Sequence, residues 1–402
     1  MDNGKSTRHH WQTIMAPDFN DYLNQELAAI VDVGLRRELR RIDSGQGARV
    51  ELGGRELLNF SSNDYLCLAC HPALKTAAAK AVEQFGAGTG AARLISGSMR
   101  PHHELEETLA NFKGTEAALS FATGYAAAGV VSALVGKGDV VVLDKLAHAC
   151  LVDAAHLSKA KLRVFKHNDM EDLDRILCWT DQQEGQTLIV TESVFSMDGD
   201  CAPLARLVEL KERYGAWLLV DEAHATGLYG ANRRGLVEES GVGELVEIQM
   251  GTLGKAIGSA GGYICGSRAL IDLVLNRARP FMFSTAPVPA QVGAARAGIE
   301  LVQSDEGEEW RSKLWSLVGR LTDGLIRRGW KLPSVSGAIM PLIVGEEKAA
   351  VALSRRLLEA GVLVPAIRYP TVARGKARLR LTVSAAHEPE DIDQILEALG
   401  DA

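Results

Sequence analysis

Five stretches of the chain are apolar almost without interruption: DVVVLD (139–144), TLIVTES (187–193), AWLLVDEAH (216–224), EIQMGTL (247–253) and GGYICGS (261–267). A strand with one face in water alternates apolar and polar residues. Unbroken runs this short instead predict strands buried on both faces, in a mostly parallel sheet between layers of helices. Helical spacing fills the intervals, beginning with ALKTAAAKAVEQF and HHELEETLANFKG. Polar residues gather at or just past the run ends, at Asp144, Glu192, Asp221 and Lys255. Ligands of open α/β sheets bind beyond the carboxyl ends of the strands. The pattern therefore predicts one site, assembled from segments far apart in the chain.

The flanks read differently. Residues 20–43 mix apolar and charged positions at helical spacing and close on GLRRELRRIDSG, which predicts one amphipathic helix with a Ser-Gly stop. ARVELGGRELLNF predicts a hairpin turning at Gly53-Gly54. After about residue 290, VGAARAGIELVQSDEGEEWRSKLWSLVGRLTDGLIRRG reads as one long helix or two in succession. AIMPLIVG, a helix from Glu347 to Ala360, VLVPAI, ARLRLTVSA and a closing helix then make a compact α+β unit. The expected organisation is an N-terminal segment (1–60), a large body (61–290) and a smaller C-terminal domain (291–402).

Composition narrows the function classes. The 402 residues are 47% hydrophobic and 24% charged, an ordinary globular balance, and the net charge of −7 argues against a nucleic-acid surface. MDNGKSTRHHWQTIMAPDFNDYL holds no apolar stretch of the export-signal type. The longest weakly polar run, Ala122 to Val135, is broken by Thr123, Tyr125 and Ser132, and falls short of the ~20 apolar residues of a membrane span. Six scattered cysteines (67, 70, 150, 178, 201 and 265) predict reduced thiols in a cytoplasmic protein. Cys67-Leu68-Ala69-Cys70-His71 spells the c-type haem attachment string. Without an export signal, or a second ligand pair at zinc spacing, it reads as a turn leading into a helix at about Pro72. No metal site is expected.

Chemistry concentrates in two stretches. In GTLGKAIGSAGG (251–262), Lys255 follows a buried run among small residues. That suits an amine that bonds a flat aldehyde cofactor, and equally a flexible surface loop. In LVDEAHATG (219–227), Asp221 ends a buried run and His224 follows three residues later. A buried carboxylate keeps the ring nitrogen of pyridoxal phosphate protonated, and an imidazole can bond its phenolic oxygen. Two strand ends carrying this pair make an incidental helix cap the weaker account. FATGYAAAG would set Gly124 and Tyr125 at a helix start, where free N–H groups bind phosphate, although most helix starts hold no ligand. His148 in DKLAHAC could stack on the ring or be structural. Ser196 in TESVFSMDGD could donate to the ring oxygen or make a turn, and Thr252 could reach the phosphate. GAGTGAARLISGS (86–98) follows a helix and lacks G-x-G-x-x-G spacing, so it reads as a loop approaching a substrate and not as a dinucleotide fingerprint.

Taken in order, NFSSNDYL, GTGAARLISG, ATGYAA, VFSMDGD, DEAHATG, GTLGKA and ARLRLTVSAAHE resemble the motif series of the α-oxoamine synthases, from about residue 30 to the C-terminus. These are fold-type-I pyridoxal-phosphate transferases that join an amino acid to an acyl thioester with loss of carbon dioxide. The resemblance implies a mostly parallel seven-stranded sheet between helices with a smaller C-terminal domain. It makes Lys255 the cofactor-bonding lysine, Asp221 the ring-nitrogen partner, His224 and Ser196 partners of the ring oxygen, and His148 the stacking group. It makes Gly124, Tyr125 and Thr252 phosphate ligands, helped by Ser284 or Thr285 of a second subunit. Arg380 would grip the amino-acid carboxylate, while Arg37, Arg368 and Thr371 match substrate-contacting positions, Arg37 within a basic helix. AIRYPTVARGKARLRLTVSAAHE, NFSSNDYL and FSTAPVPAQ are most similar to the members that condense L-alanine with a pimeloyl thioester in biotin synthesis. That implies a homodimer with a shared site, and an acyl donor on coenzyme A or a carrier protein. The alternatives are the sister reaction of glycine with acetyl thioester, and a cofactor-binding regulator without turnover. Cys67, Ser193 and Ala128 depart from the family, which usually has glycine, glycine and asparagine there.

Overall fold

The computed structural model describes residues 18–333 and 337–402; most of the N-terminal stretch read for an export signal lies outside them. In chain order the strands are β1 (Arg49–Leu52), β2 (Arg55–Asn59), β3 (Ala117–Phe121), β4 (Val140–Asp144), β5 (Lys161–Phe165), β6 (Thr187–Glu192), β7 (Trp217–Asp221), β8 (Ile248–Thr252), β9 (Gly262–Gly266), β10 (Ile339–Gly345), β11 (Val362–Leu363), β12 (Ala366–Ile367) and β13 (Ala377–Thr382). All five apolar runs are strands of one seven-stranded sheet, ordered β3-β9-β8-β7-β6-β4-β5. Only β9 runs against its neighbours.

The unbroken apolar runs have a direct cause. Successive strand residues point to opposite faces, and here each face carries its own apolar layer. Val140, Val142, Ile189, Leu218 and Val220 enter one buried cluster. Val141, Leu143, Leu188, Val190 and Leu219 enter the other. The edge strand β5 gives no such signal, because Lys161, Arg163 and Val164 are exposed. Its two cations lie over the Trp179 ring at 5.3 and 4.3 Å, and a charged edge resists pairing with another sheet.

Two smaller sheets flank the large one. The hairpin turns at Gly53 and Gly54 (φ 58° and 72°), the left-handed pair a two-residue turn requires. Its β2 then pairs in parallel with β11, so the N-terminal segment is stitched to the C-terminal part of the chain. The third sheet is β10-β13-β12. The long helical stretch resolves into two helices, Pro289–Val302 and Asp305–Arg327, because Ser304 caps the second by accepting from Gly307 N–H at 3.2 Å. The first of them packs against the helix Pro72–Phe85.

The N-terminal helix is shorter than its pattern. It spans Phe19–Asp32 and stops where Gly34 takes a left-handed φ of 68°. Arg36, Arg37 and Arg40 therefore lie in chain without regular secondary structure and not in a basic helix. None of the helix's residues is buried, and Phe19, Leu23, Leu27 and Ile30 are exposed.

Candidate active site

A cavity of about 210 Å³ opens beyond the carboxyl ends of β6, β7 and β8. It is lined by Glu192, Asp221, Thr252, Lys255, His224 and His148, with Gly124, Tyr125 and Cys150 on its walls. Residues from five separate stretches thus meet, with Glu192, Asp221 and Lys255 where the strand-end pattern placed them. Asp144 is the exception. It accepts from Leu146 N–H (2.8 Å) and faces His167 Nδ1 at 3.0 Å, and His167 Nε2 lies 2.8 Å from Asp200. That network braces the turn after β6 and does not line the cavity.

Lys255 Nζ lies 2.8 Å from His224 Nε2. Burial pushes the amine down to about 8, against the upward pull of Asp221 and Glu192, with Arg380 adding to the fall. Burial also holds the His224 imidazole well below its usual range, so the ring is neutral. Its Nδ1 is 2.6 Å from the Tyr65 hydroxyl. The loop carrying Lys255 can press on the segment carrying Tyr65 because Gly258 has φ 75° and no side chain; a Cβ there would fall 2.6 Å from the Leu68 carbonyl carbon.

Glu192 and Asp221 are register partners on β6 and β7, and both are buried. Burial raises each carboxyl, most strongly Glu192, whose neighbour Asp221 pushes it further. Asp221 accepts from Ala223 N–H at 2.9 Å. Glu192 Oε1 is buried without a protein partner. Two desolvated carboxyls facing one amine favour a cationic group between them.

His148 caps the helix Ala149–Ser158, with Nδ1 accepting from Cys150 N–H at 3.3 Å, and stands exposed at the cavity mouth. Gly124 and Tyr125 open a short helix capped by Thr123, and Tyr125 OH bonds Asp153. The Thr252 hydroxyl donates to Gly261 O (2.8 Å). Arg380, buried on β13, donates to Ser196 O (2.5 Å) and to Asn63 Oδ1 (3.2 Å). Ser196 itself is outside the cavity lining. Arg37, Arg368 and Thr371 form a separate group: Arg37 donates to Tyr369 O (3.3 Å), Arg368 to Gly34 O (2.5 Å), and Thr371 N–H to Arg368 O (3.0 Å). Ser284 and Thr285 are exposed.

The 86–98 stretch is only partly the open loop its glycines suggested. Arg93–Gly97 is a wide helical turn, and Arg93 is buried in a two-pronged ion pair with Glu106 (2.7 and 3.0 Å). Cys67 and Cys70 are free, and His71 caps the helix that starts at Pro72. Sequence reasoning named Glu192 only as a polar strand end of the expected site, without a role, and did not assign Asn63 or Tyr65 to it. Glu192 carried a usable signal as a polar strand end; Tyr65 reads like any core tyrosine.

The family model described as aminotransferase class I and II matches residues 55–399. The 8-amino-7-oxononanoate synthase of Geobacter sulfurreducens is 48% identical over 93% of this chain and 96% of its own. That of Anaeromyxobacter dehalogenans (strain 2CP-1) is also 48% identical, over 96% of each chain. This chain belongs to the class I and II aminotransferase family, in its α-oxoamine synthase branch. Among solved members, a serine palmitoyltransferase of S. paucimobilis with bound PLP superposes with a TM-score of 0.89 at 31% identity, over 94% of this chain and 96% of that one. An 8-amino-7-oxononanoate synthase of Francisella tularensis gives 0.73 at 27% identity, over 85% and 96%. The fold is the fold-type-I transferase fold of that branch.

Proposed function

We propose that this chain is a pyridoxal-phosphate-dependent acyltransferase that condenses L-alanine with a pimeloyl thioester. The products are 8-amino-7-oxononanoate, carbon dioxide and the free thiol. The observation that carries the reading is the Lys255–His224 contact above the buried Asp221–Glu192 pair, in a chain 48% identical to synthases of that name.

The cavity fits the cofactor. It offers an amine without a neutralising hydrogen-bonded carboxylate, a desolvated carboxyl for a protonated ring nitrogen, and a Glu192 oxygen buried without a hydrogen-bond partner. When bound, pyridoxal phosphate supplies an aldehyde and an electron-withdrawing ring that accepts charge from the amino-acid Cα. Lys255 would bond the aldehyde until alanine displaces it, then take the Cα proton and later return one to the product carbon. Asp221 would hold the proton on the ring nitrogen. His224, with Ser196, would donate to the ring oxygen, and His148 would cover one ring face. Gly124, Tyr125 and Thr252 would hold the phosphate.

Arg380 would grip the alanine carboxylate until it leaves as carbon dioxide, a task suited to a planar two-pronged donor. Asn63 and the Ser196 carbonyl orient it. Arg37, Arg368 and Thr371 would contact the acyl donor, carried on coenzyme A or on a carrier protein. A homodimer belongs to this proposal, with Ser284 or Thr285 of the second subunit reaching the phosphate. The uncovered apolar face of the helix Phe19–Asp32 and the exposed Ile95 and Phe283 support it. The division at 1–60, 61–290 and 291–402 is also part of the proposal: the large sheet lies within the second part and the β10-β13-β12 sheet within the third. Among the described residues, no helix is long and apolar enough to cross a membrane.

A thiol-release assay decides the substrates. Alanine with pimeloyl-CoA should release thiol with carbon dioxide. Release from glycine with acetyl-CoA in its place would transfer the proposal to the sister reaction, and no release from either pair would end it.

A further inference from the structure

Tyr65 belongs to none of the roles assigned above, yet it touches the site's central histidine. We propose that Tyr65 is a positioning residue: its hydroxyl donates to Nδ1 of His224 and thereby sets the ring tautomer that presents Nε2–H to Lys255. The inference rests on the reading of Lys255 as the cofactor-bonding amine.

The hydrogen bonds argue for this polarity. The positive charge of Arg380 acts on the Tyr65 phenol and makes it the stronger donor. The single phenolic proton then has two candidate acceptors, His224 Nδ1 at 2.6 Å and Asn63 Oδ1 at 3.4 Å. The shorter contact takes it, since Asn63 Oδ1 already receives Arg380 Nη1 at 3.2 Å. Burial holds the Tyr65 phenol above its usual range, so it keeps its proton. A neutral imidazole has one N–H. With Nδ1 accepting from Tyr65, that hydrogen stands on Nε2, 2.8 Å from Lys255 Nζ.

A donor aimed at the lysine nitrogen engages its lone pair and favours the uncharged amine, the form that attacks an aldehyde or takes a proton from carbon. The other groups facing this amine are Asp221, Glu192, Arg380, Cys150 and His148. Asp221 and Glu192 pull it toward the charged form and Arg380 pushes the other way. The Tyr65–His224 pair thus works against the two carboxyls.

Two measurements test the assignment. Nitrogen-15 NMR of the histidine-labelled holoenzyme, with the His224 signal identified by its absence in His224→Gln, should show Nε2 protonated. In Tyr65→Phe the Nδ1–H form should become populated. The pH midpoint for uptake of pyridoxal phosphate by the stripped protein should then rise by about one unit, roughly a tenfold loss of neutral amine below the midpoint. A purely structural role would lower the melting temperature and leave that midpoint alone. Nδ1–H in the wild-type protein overturns the proposal, as does an unchanged tautomer and midpoint in Tyr65→Phe. Wild-type NMR decides even if the variant fails to fold. If Lys255→Ala retains covalent uptake of the cofactor, the functional reading fails instead, and the tautomer result stands apart from it.

Discussion

Lys255 and Cys67 show what a single position does here. Lys255 titrates near 8 because burial disfavours its charge more than Asp221 and Glu192 favour it. Only the neutral amine attacks an aldehyde. Covalent uptake of pyridoxal phosphate by the stripped protein should therefore rise about tenfold per pH unit up to about 8 and level off above it, a rate followed by absorbance. A profile flat from pH 6 to 9 would remove Lys255 from the role. Cys67 has φ 57°, a left-handed conformation that suits the glycine its relatives usually place there. Cys67→Gly should raise the unfolding free energy by up to about 1 kcal/mol in a urea titration. The residue's oddity is thus conformational. The haem-like string around it is a turn and a helix cap, with Cys67 N–H bonding Asp64 O (3.0 Å) and His71 capping Pro72–Phe85.

Elements, in turn, are held to one another by a few polar braces. His167 links the end of β4 to the turn after β6 through Asp144 and Asp200. Burial alone would lower its basicity; hydrogen bonds and charge from the two carboxylates outweigh it and raise the ring to about 10. A raised value means the folded state binds the proton more tightly than the unfolded chain does. The brace therefore contributes fully below about pH 6.5 and is lost as pH climbs toward 10. His167→Gln should be clearly less stable than the wild type at pH 6 to 7, with the gap narrowing as pH approaches 10, as read by denaturant midpoints. A gap that widens with pH would refute the assignment. A second brace joins the helix Arg100–Lys113 to the end of β7. Lys113 Nζ meets Glu222 at 2.5 Å with both side chains buried. Lys113→Met leaves that carboxylate unpaired and should cost about 3–5 kcal/mol in chemical denaturation.

The whole molecule displays a surface that none of its described residues covers. The helix Phe19–Asp32 buries none of its residues, and elsewhere Phe283 and Ile95 are 68% and 81% exposed. Apolar faces of this kind mark interfaces. Sedimentation equilibrium should give twice the chain mass of 43.2 kDa, and deleting residues 1–33 should shift it toward the monomer. A monomeric full-length chain would refute the shared site.

The sequence alone determined the large sheet, because a strand buried on both faces must be apolar at every position and such runs cannot be mistaken for alternating ones. It also singled out Lys255 and Asp221 as polar strand ends and His224 close by, while the roles expected of them and of His148 came from the resemblance to the α-oxoamine synthases. Edge strand β5 stayed hidden because solvent lets it be polar, and the N-terminal helix was read too long because periodicity does not register the left-handed Gly34. Only the tertiary structure decided which polar ends meet. It drew Glu192 into the cavity and turned Asp144 away to His167, and it set Tyr65 against His224. Those choices depend on strand register and loop packing between segments that are 23 residues apart for Asp144 and His167 and 159 apart for Tyr65 and His224, which local pattern does not carry.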